Sequence, residues 1–320
     1  MFGRKVLIVG GVAGGASCAA RLRRMDEHAK IFLYERSGYV SFANCGLPYY
    51  LGGVIADRAK LLVATPERFR DLLNVEVRTR HEVREIDRVA KTVKVVRVET
   101  GHVATEHYDT LVLAPGASPI RPPLPGVDLP GVFTLRNMED TDAIRQWADR
   151  CEAERAVVIG GGYIGLEMAE NLVRRGLDVA VLEASEQVMM PFDPEMVTPV
   201  HAELRRNGVE TYLGVPAATI EPGPGGTLTV LTRGPERFSA DLVVLAVGVR
   251  PDVELARAAG IELGVTGGIR VDDQMRTSDP NIFAVGDAVE VRDFATGKPS
   301  LIPLAGPASR QGRVAADVIA

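Results

Sequence analysis

The chain alternates short apolar runs with longer stretches in which small, apolar and charged residues recur at helical spacing. Lys5-Val6-Leu7-Ile8-Val9 breaks on Gly10-Gly11, passes Gly14-Gly15, and continues through Ala16 to Arg24 with a three-to-four residue period. A continuous apolar run bounded by glycines predicts a buried parallel strand, and the segment after it predicts a helix. The same pattern returns in Ala156-Val157-Val158-Ile159, Gly160 and the segment from Tyr163 to Leu172. Each copy is followed by another short apolar strand ending in an acid, at Glu35 and at Glu183. Further apolar runs near Leu111, Leu242 and Ile282 extend the series. This is the signature of an α/β protein built twice around a glycine turn.

Composition narrows the picture. At 320 residues the chain is long enough for two domains. A net charge of −5 supplies no broad basic field, and no nucleic-acid partner is expected. The apolar run after Arg4-Lys5 ends too soon for a leader peptide, and no stretch has the ~18 apolar residues of a membrane span. The three cysteines, Cys18, Cys45 and Cys151, make no disulfide framework, and a cytoplasmic, reducing setting is expected.

The glycine turns carry chemistry. A strand that enters a helix through glycines brings backbone N–H groups close to a pyrophosphate. The second copy has the full G-x-G-x-x-G, with Gly160, Gly162 and Gly165, whereas the first has Val12 at the middle position and uses Gly10, Gly14 and Gly15. Glu35 and Glu183 fall 20 and 18 residues after Gly15 and Gly165, near the ~20 expected of a ribose-binding carboxylate. Two nucleotides are therefore expected. Ala184 and Ser185 follow Glu183 with no cation for a 2′-phosphate, which favours NADH over NADPH at the second turn.

Near the end, T-S-D-P-N-I-F-A-V-G-D from Thr277 resembles the second FAD fingerprint of the pyridine nucleotide–disulfide oxidoreductases. The stretches from Tyr108 and from Leu242 resemble that family's strands leaving and re-entering the FAD domain. The resemblance implies two Rossmann-like domains, with an NADH domain over 118–250 inserted into an FAD domain split over 1–117 and 251–320. It implies FAD contacts from Gly10, Gly11, Val12, Ala13 and Gly14, from Glu35 and Arg36, from Asp287 on the ribityl chain, and from Pro303, Leu304 and Ala305 at a helix start. It implies NADH contacts from Gly160, Gly162, Tyr163, Ile164, Gly165, Glu167 and Glu183, with Tyr163 covering the flavin until NADH arrives. No metal is called for.

Ser41-Phe42-Ala43-Asn44-Cys45-Gly46-Leu47-Pro48-Tyr49 resembles the coenzyme A-disulfide reductases and relatives that reduce persulfides and polysulfides. Many members of the superfamily pair two thiols in C-x-x-x-x-C, but here the fifth residue after Cys45 is Tyr50, so Cys45 acts alone through a mixed disulfide, persulfide or sulfenic acid. The resemblance makes Cys45 the nucleophile, assigns substrate contacts to Ser41 and Asn44, and places coenzyme A against Ser17, Arg21 and Arg24, which share one helical face. Leu73 stands where that family has a further lysine. Cys18 and Cys151 are expected to be buried and inert. Two alternatives stay open: an NADH oxidase or peroxidase using a sulfenic acid, and a redox sensor without turnover. Val12 replaces the glycine-loop histidine of the peroxidases, which weakens that branch. Relatives continue beyond the helix started at Ala305 into an interface domain that forms a homodimer; that domain is expected to be absent here, leaving the oligomeric state of this chain open.

Overall fold

The computed structural model describes residues 3–320. Its α-helices are α1 (Ala13–Met25), α2 (Leu47–Leu51), α3 (Pro66–Leu73), α4 (Met138–Arg150), α5 (Tyr163–Arg174), α6 (Pro194–Arg206), α7 (Glu254–Ala258) and α8 (Ala305–Ile319). The chain forms two compact units, one gathering residues through Phe42, Leu62–Ser118 and Arg250–Ala320, the other Ala43–Leu61 and Pro119–Val249. Where the sequence reading kept 1–117 together, Ala43–Leu61 groups with the second unit. The physical reason is packing: α2 seats on α4 and α5, both of which belong to that unit.

The first unit is built on a five-stranded parallel sheet in the order Ile282–Ala284, Thr110–Leu113, Lys5–Val9, Lys30–Glu35, Val75–Thr79. The earliest strand lies in the middle with later strands on both sides, so its carboxyl end is a topological switch point, where open α/β sheets bind ligands. Thr110–Leu113 is buried at every position, as a two-sided strand must be. One face is covered by α1, α3 and α8 through Cys18, Ala19, Leu22, Phe69, Ala315 and Ile319. The other is covered by the antiparallel strands His81–Asp87 and Thr92–Arg97 and by α7, through Val83, Ile86, Val93, Val95 and Ala256.

Helices α1 and α8 cross at almost no distance. A Cβ on Gly312 would lie 2.2 Å from the Gly14 carbonyl oxygen and 3.0 Å from the Cys18 nitrogen. Contacts this close allow only glycine there.

The second unit repeats the plan. Its parallel sheet runs Glu210–Leu213, Asp178–Glu183, Arg155–Ile159, Leu242–Leu245, Val132–Phe133. One face packs on the antiparallel sheet Ala217–Pro222, Leu228–Thr232, Arg237–Ala240. Met168, Ala169 and Leu172 of α5 and Met138 and Ile144 of α4 are fully buried. The α/β class and the paired parallel sheets agree with the sequence reading. The small antiparallel sheets were not anticipated. Among the described residues no helix is long and apolar enough to cross a membrane.

Candidate active site

At the switch point of the first sheet, Gly10 holds φ +95°, and a Cβ on it would lie 2.0 Å from the Ala114 carbonyl oxygen. A Cβ on Gly15 would lie 1.9 Å from the Gly10 carbonyl oxygen, so this glycine lets α1 start directly against the strand. Glu35 is buried, and its carboxylate accepts the Gly11 N–H at 2.9 Å and the Ser37 N–H at 2.8 Å. Helix α1 begins at the N-cap Val12 with no side-chain cap and no acid in its first turn. Its first N–H groups point out with no cap in place, the condition under which a helix end binds an anion.

The second turn is the same object. Gly160 holds φ +112° with the Ala246 carbonyl oxygen 2.4 Å from a would-be Cβ, and a Cβ on Gly165 would lie 2.0 Å from the Gly160 oxygen. The Glu183 carboxylate accepts the Gly161 N–H at 2.6 Å and the Ser185 N–H at 2.8 Å. At the N-cap Gly162 a Cβ would meet nothing within 4 Å, and again no side chain caps the helix. Uncapped helix ends, open space over Gly162 and a carboxylate at each strand end fit two dinucleotides. Each oxygen of Glu35 and Glu183 already accepts one N–H, which leaves about half of a carboxylate's ~4 lone-pair sites for ribose hydroxyls. The acids therefore have a second task, clamping the turn.

Tyr163 opens α5 and is 58% exposed, its ring edge-on to Phe192 with centroids 6.4 Å apart. Ile164 and Glu167 are half-buried on the same helix. Burial first, then Glu170, pushes the Glu167 carboxyl above its ordinary value.

Cys45 lies in a single 3-10 turn, Asn44–Gly46, that runs directly into α2. Cys45 and Asn44 are exposed, while Leu47, Pro48, Tyr50 and Leu51 anchor the helix. The base of this segment is closed by the Ala43 N–H donating to the Leu61 oxygen at 2.8 Å. Ser41, in the first unit, holds φ +45°, and its N–H donates to the Gly11 oxygen at 2.8 Å. A left-handed serine hydrogen-bonded to a nucleotide turn marks a strained position of the kind found at functional sites.

The other thiols differ from each other. Cys18 is fully buried, and burial pushes its thiol up to about 12. Cys151 was expected to be buried too, but it is exposed. It sits at the C-cap of α4, its N–H donating to the Trp147 oxygen, and helix ends face water. Local desolvation and Asp241 push its thiol above the ordinary value.

Ser17, Arg21 and Arg24 occupy one face of α1, but the Arg21 Nε donates to Asp317 of α8 at 2.6 Å. Arg24 is exposed. Arg36, which the sequence reading gave to FAD, pairs with Asp252 at 3.0 Å. Between the two expected arginines lies one that sequence reasoning missed. The guanidinium of Arg23 donates to the carbonyls of Leu73, Asp26, Glu27, Ala29 and Asn74, tying the end of α1 to the end of α3. Its place in the last turn of a helix was the available signal. Leu73 packs against the first unit's core.

Asp287 is half-buried and follows Gly286, whose N–H donates to Gln311 Oε1 of α8 at 2.7 Å. Pro303, Leu304 and Ala305 are exposed, and Leu304 is the N-cap of α8 without a side-chain cap. Gly15, named with the first glycine turn, serves helix–strand packing on this geometry. Among the described residues no cluster of three or more His, Cys, Asp or Glu side chains could hold a metal.

Two glycine turns locked by carboxylates, on two parallel sheets, and a lone cysteine at a helix start define a dinucleotide-binding redox protein. The chain belongs to the pyridine nucleotide-disulphide oxidoreductase family, whose profile matches residues 4–312. Among its relatives, the coenzyme A disulfide reductase of Staphylococcus haemolyticus is 37% identical over 317 residues, covering 99% of this chain and 70% of that protein. Among solved structures, reduced Bacillus anthracis CoADR-RHD matches with TM-score 0.96 and 47% identity, over 99% of this chain and 57% of that one. The NAD-dependent persulfide reductase of A. fulgidus matches with TM-score 0.94 and 39% identity, over 98% of this chain and 59% of that one. The chain thus spans under two thirds of the length of these two structures.

Proposed function

We propose that the chain is an FAD-dependent NADH:disulfide reductase that acts on coenzyme A disulfide, or on a coenzyme A persulfide or polysulfide, through Cys45 alone. The observation that carries this reading is the exposed Cys45 at a helix start in a chain whose two nucleotide turns are both intact. The relatives' names support the same substrate class. When bound, FAD would take hydride from NADH and supply two electrons to a sulfur–sulfur bond.

The chain's residues do the rest. Gly10 and Gly11, whose N–H groups are taken by the Tyr34 oxygen and by Glu35, would shape the turn beside FAD. Val12, Ala13 and Gly14 would face its pyrophosphate with backbone N–H groups, and Glu35 its adenosine ribose. Asp287 would hold the ribityl chain, and the uncapped start of α8 at Leu304-Ala305 would present its N–H dipoles to the flavin. Gly160, Gly162, Gly165 and Glu183 would hold NADH in the same manner, with Tyr163, Ile164 and Glu167 on the nicotinamide side. Cys45 would form the mixed disulfide, with Ser41 and Asn44 as substrate contacts. Arg24, and Arg21 once released by Asp317, would meet the phosphates of coenzyme A. A cytoplasmic setting and, with the further length its relatives have, a homodimer complete the reading.

An NADH oxidase is the second reading, because a water-forming NADH oxidase of Lactobacillus brevis shares the fold at TM-score 0.91 and 35% identity. Steady-state NADH consumption with coenzyme A disulfide, coenzyme A persulfide and oxygen decides between them. Cys45→Ser should keep FAD and NADH binding and abolish turnover with the sulfur acceptors. Oxygen as the fastest acceptor would sink the disulfide assignment.

A further inference from the structure

Tyr49 follows Cys45 by four residues, and the backbone between them is right-handed helical. Gly46 sits at φ −83°, ψ −16° and Leu47 at φ −59°, ψ −49°. Positions i and i+4 of a helix share a face, so phenol and thiol project from the same side of this short segment. Helix α5 packs against α2. The fully buried Asn171 fixes that crossing, because a Cβ on Gly52 would lie 2.3 Å from its Oδ1, and the Arg175 guanidinium donates to the Leu51 oxygen at 3.3 Å. Glu167, Glu170 and Arg174, three and four residues apart on α5, act on the Tyr49 phenol. No described residue hydrogen-bonds the Tyr49 hydroxyl, whereas Tyr34 accepts from Arg78 and Tyr212 donates to Glu210.

We propose that the Tyr49 hydroxyl donates a hydrogen bond to the leaving sulfur when Cys45 opens a disulfide. The proposal rests on Cys45 as the nucleophile. In this step the Cys45 sulfur, its thiol proton given up to water, bonds to one sulfur of R–S–S–R, and the S–S bond breaks with its electron pair on the other sulfur. Negative charge gathers there, and the phenol O–H meets it. The products are Cys45–S–S–R and R–S⁻, which takes its proton from water as it departs. No net electrons are gained or lost, so the step needs no flavin.

The groups facing the phenol suit it to donate rather than ionise. Glu170 contributes most, followed by burial, then Glu167, with Cys45 adding and Arg174 opposing, and together they hold its pKa above the ordinary tyrosine value. The hydroxyl therefore keeps its proton throughout the neutral range. A donor aimed at developing charge is worth most where that charge is concentrated, as on an alkyl thiolate, and least where an aromatic ring spreads it.

The test uses the FAD-bound, oxidised chain with no NADH added, in a Cys151→Ser background that removes the other exposed thiol, and follows one opening event per protein. The probes are coenzyme A disulfide, with an alkyl leaving thiol, and dithiobis(nitrobenzoate), with an aryl one. Tyr49→Phe should slow the alkyl disulfide about 10²-fold, the usual effect of removing one such donor, and leave the aryl disulfide nearly unchanged. Equal slowing of both, or of neither, overturns the proposal. The parent provides a second reading that no folding defect can blur. Across a series of disulfides, its rate should depend less steeply on the leaving thiol's basicity than that of free cysteine. An equally steep dependence, with the adduct located on Cys45, removes Tyr49 alone. An adduct that forms elsewhere in the parent removes the nucleophile and this proposal together.

Discussion

Glutamine at position 183 would separate two demands on one carboxylate. Glu183 now accepts two N–H groups, from Gly161 at 2.6 Å and Ser185 at 2.8 Å. An amide of the same shape offers one oxygen, so one N–H would face an NH2 group and go unbonded. Gly161 is buried, and an unbonded buried donor costs about 1–3 kcal/mol. At roughly 2–4 °C per kcal/mol for a unit of this size, Glu183→Gln should lower the melting temperature by about 2–12 °C. The same change removes the charge that would repel a 2′-phosphate. Preference for NADH over NADPH should then fall by about 1.5–3 kcal/mol, or roughly 10- to 100-fold in kcat/KM. The assays are thermal unfolding with and without NADH, and the rate of flavin bleaching by each coenzyme. If stability falls as stated while the NADH/NADPH ratio holds, the carboxylate is a clamp and its ribose role is wrong. If neither moves, the clamp argument fails as well. Glu183→Arg, which loses both bonds and adds a cation, should go further in both readouts.

Gly312→Val should push α8 off α1, because its Cβ would fall 2.2 Å from the Gly14 oxygen. Overpacking of this kind costs about 1–3 kcal/mol, and FAD titration with thermal unfolding should show both weaker cofactor binding and lower stability. Gly306→Ala, in open space on the same helix, is the control for stability alone. In the folded chain at mildly alkaline pH, an alkylating reagent followed by peptide mass analysis should label Cys45 and Cys151 and spare Cys18, whose thiol stays protonated up to about 12. Labelling of Cys18 before denaturation would mean that its burial is not maintained. Asp317→Asn should free Arg21 and lower the KM for coenzyme A disulfide without altering that for a phosphate-free disulfide. Stability should barely change, since solvent screens an exposed pair; an equal drop in both KM values would show that Arg21 does not read phosphate.

Much of this arrangement was legible because backbone geometry wrote it into residue type. Gly10 and Gly160 need positive φ, Gly15 and Gly165 need contact with the preceding strand, and only glycine serves either purpose. Glu35 and Glu183 stood out by their offset, yet their N–H clamps did not, because a carboxylate's partners follow from the fold and not from spacing. The same blindness covered Arg21, whose partner Asp317 lies 296 residues away, and Arg36, whose partner is Asp252. Cys151 was misjudged because burial was assigned by residue type, whereas a helix C-cap is exposed by position. The grouping of Ala43–Leu61 with the second unit is a matter of packing between α2, α4 and α5 that no local pattern announces.

The two glycine turns give the protein a built-in comparison. Gly10 with Gly160, Gly15 with Gly165, Gly11 with Gly161 and Glu35 with Glu183 are related by structure residue for residue, within one polypeptide and one sample. A substitution that acts only through backbone strain should therefore do equal harm when made in either copy. One that acts through the bound nucleotide should show two different effects, since two different molecules are held. Three positions break the symmetry: Val12 against Gly162, Ala13 against Tyr163 and Gly14 against Ile164. Exchanging them pair by pair asks which side chain sets the choice between the two nucleotides.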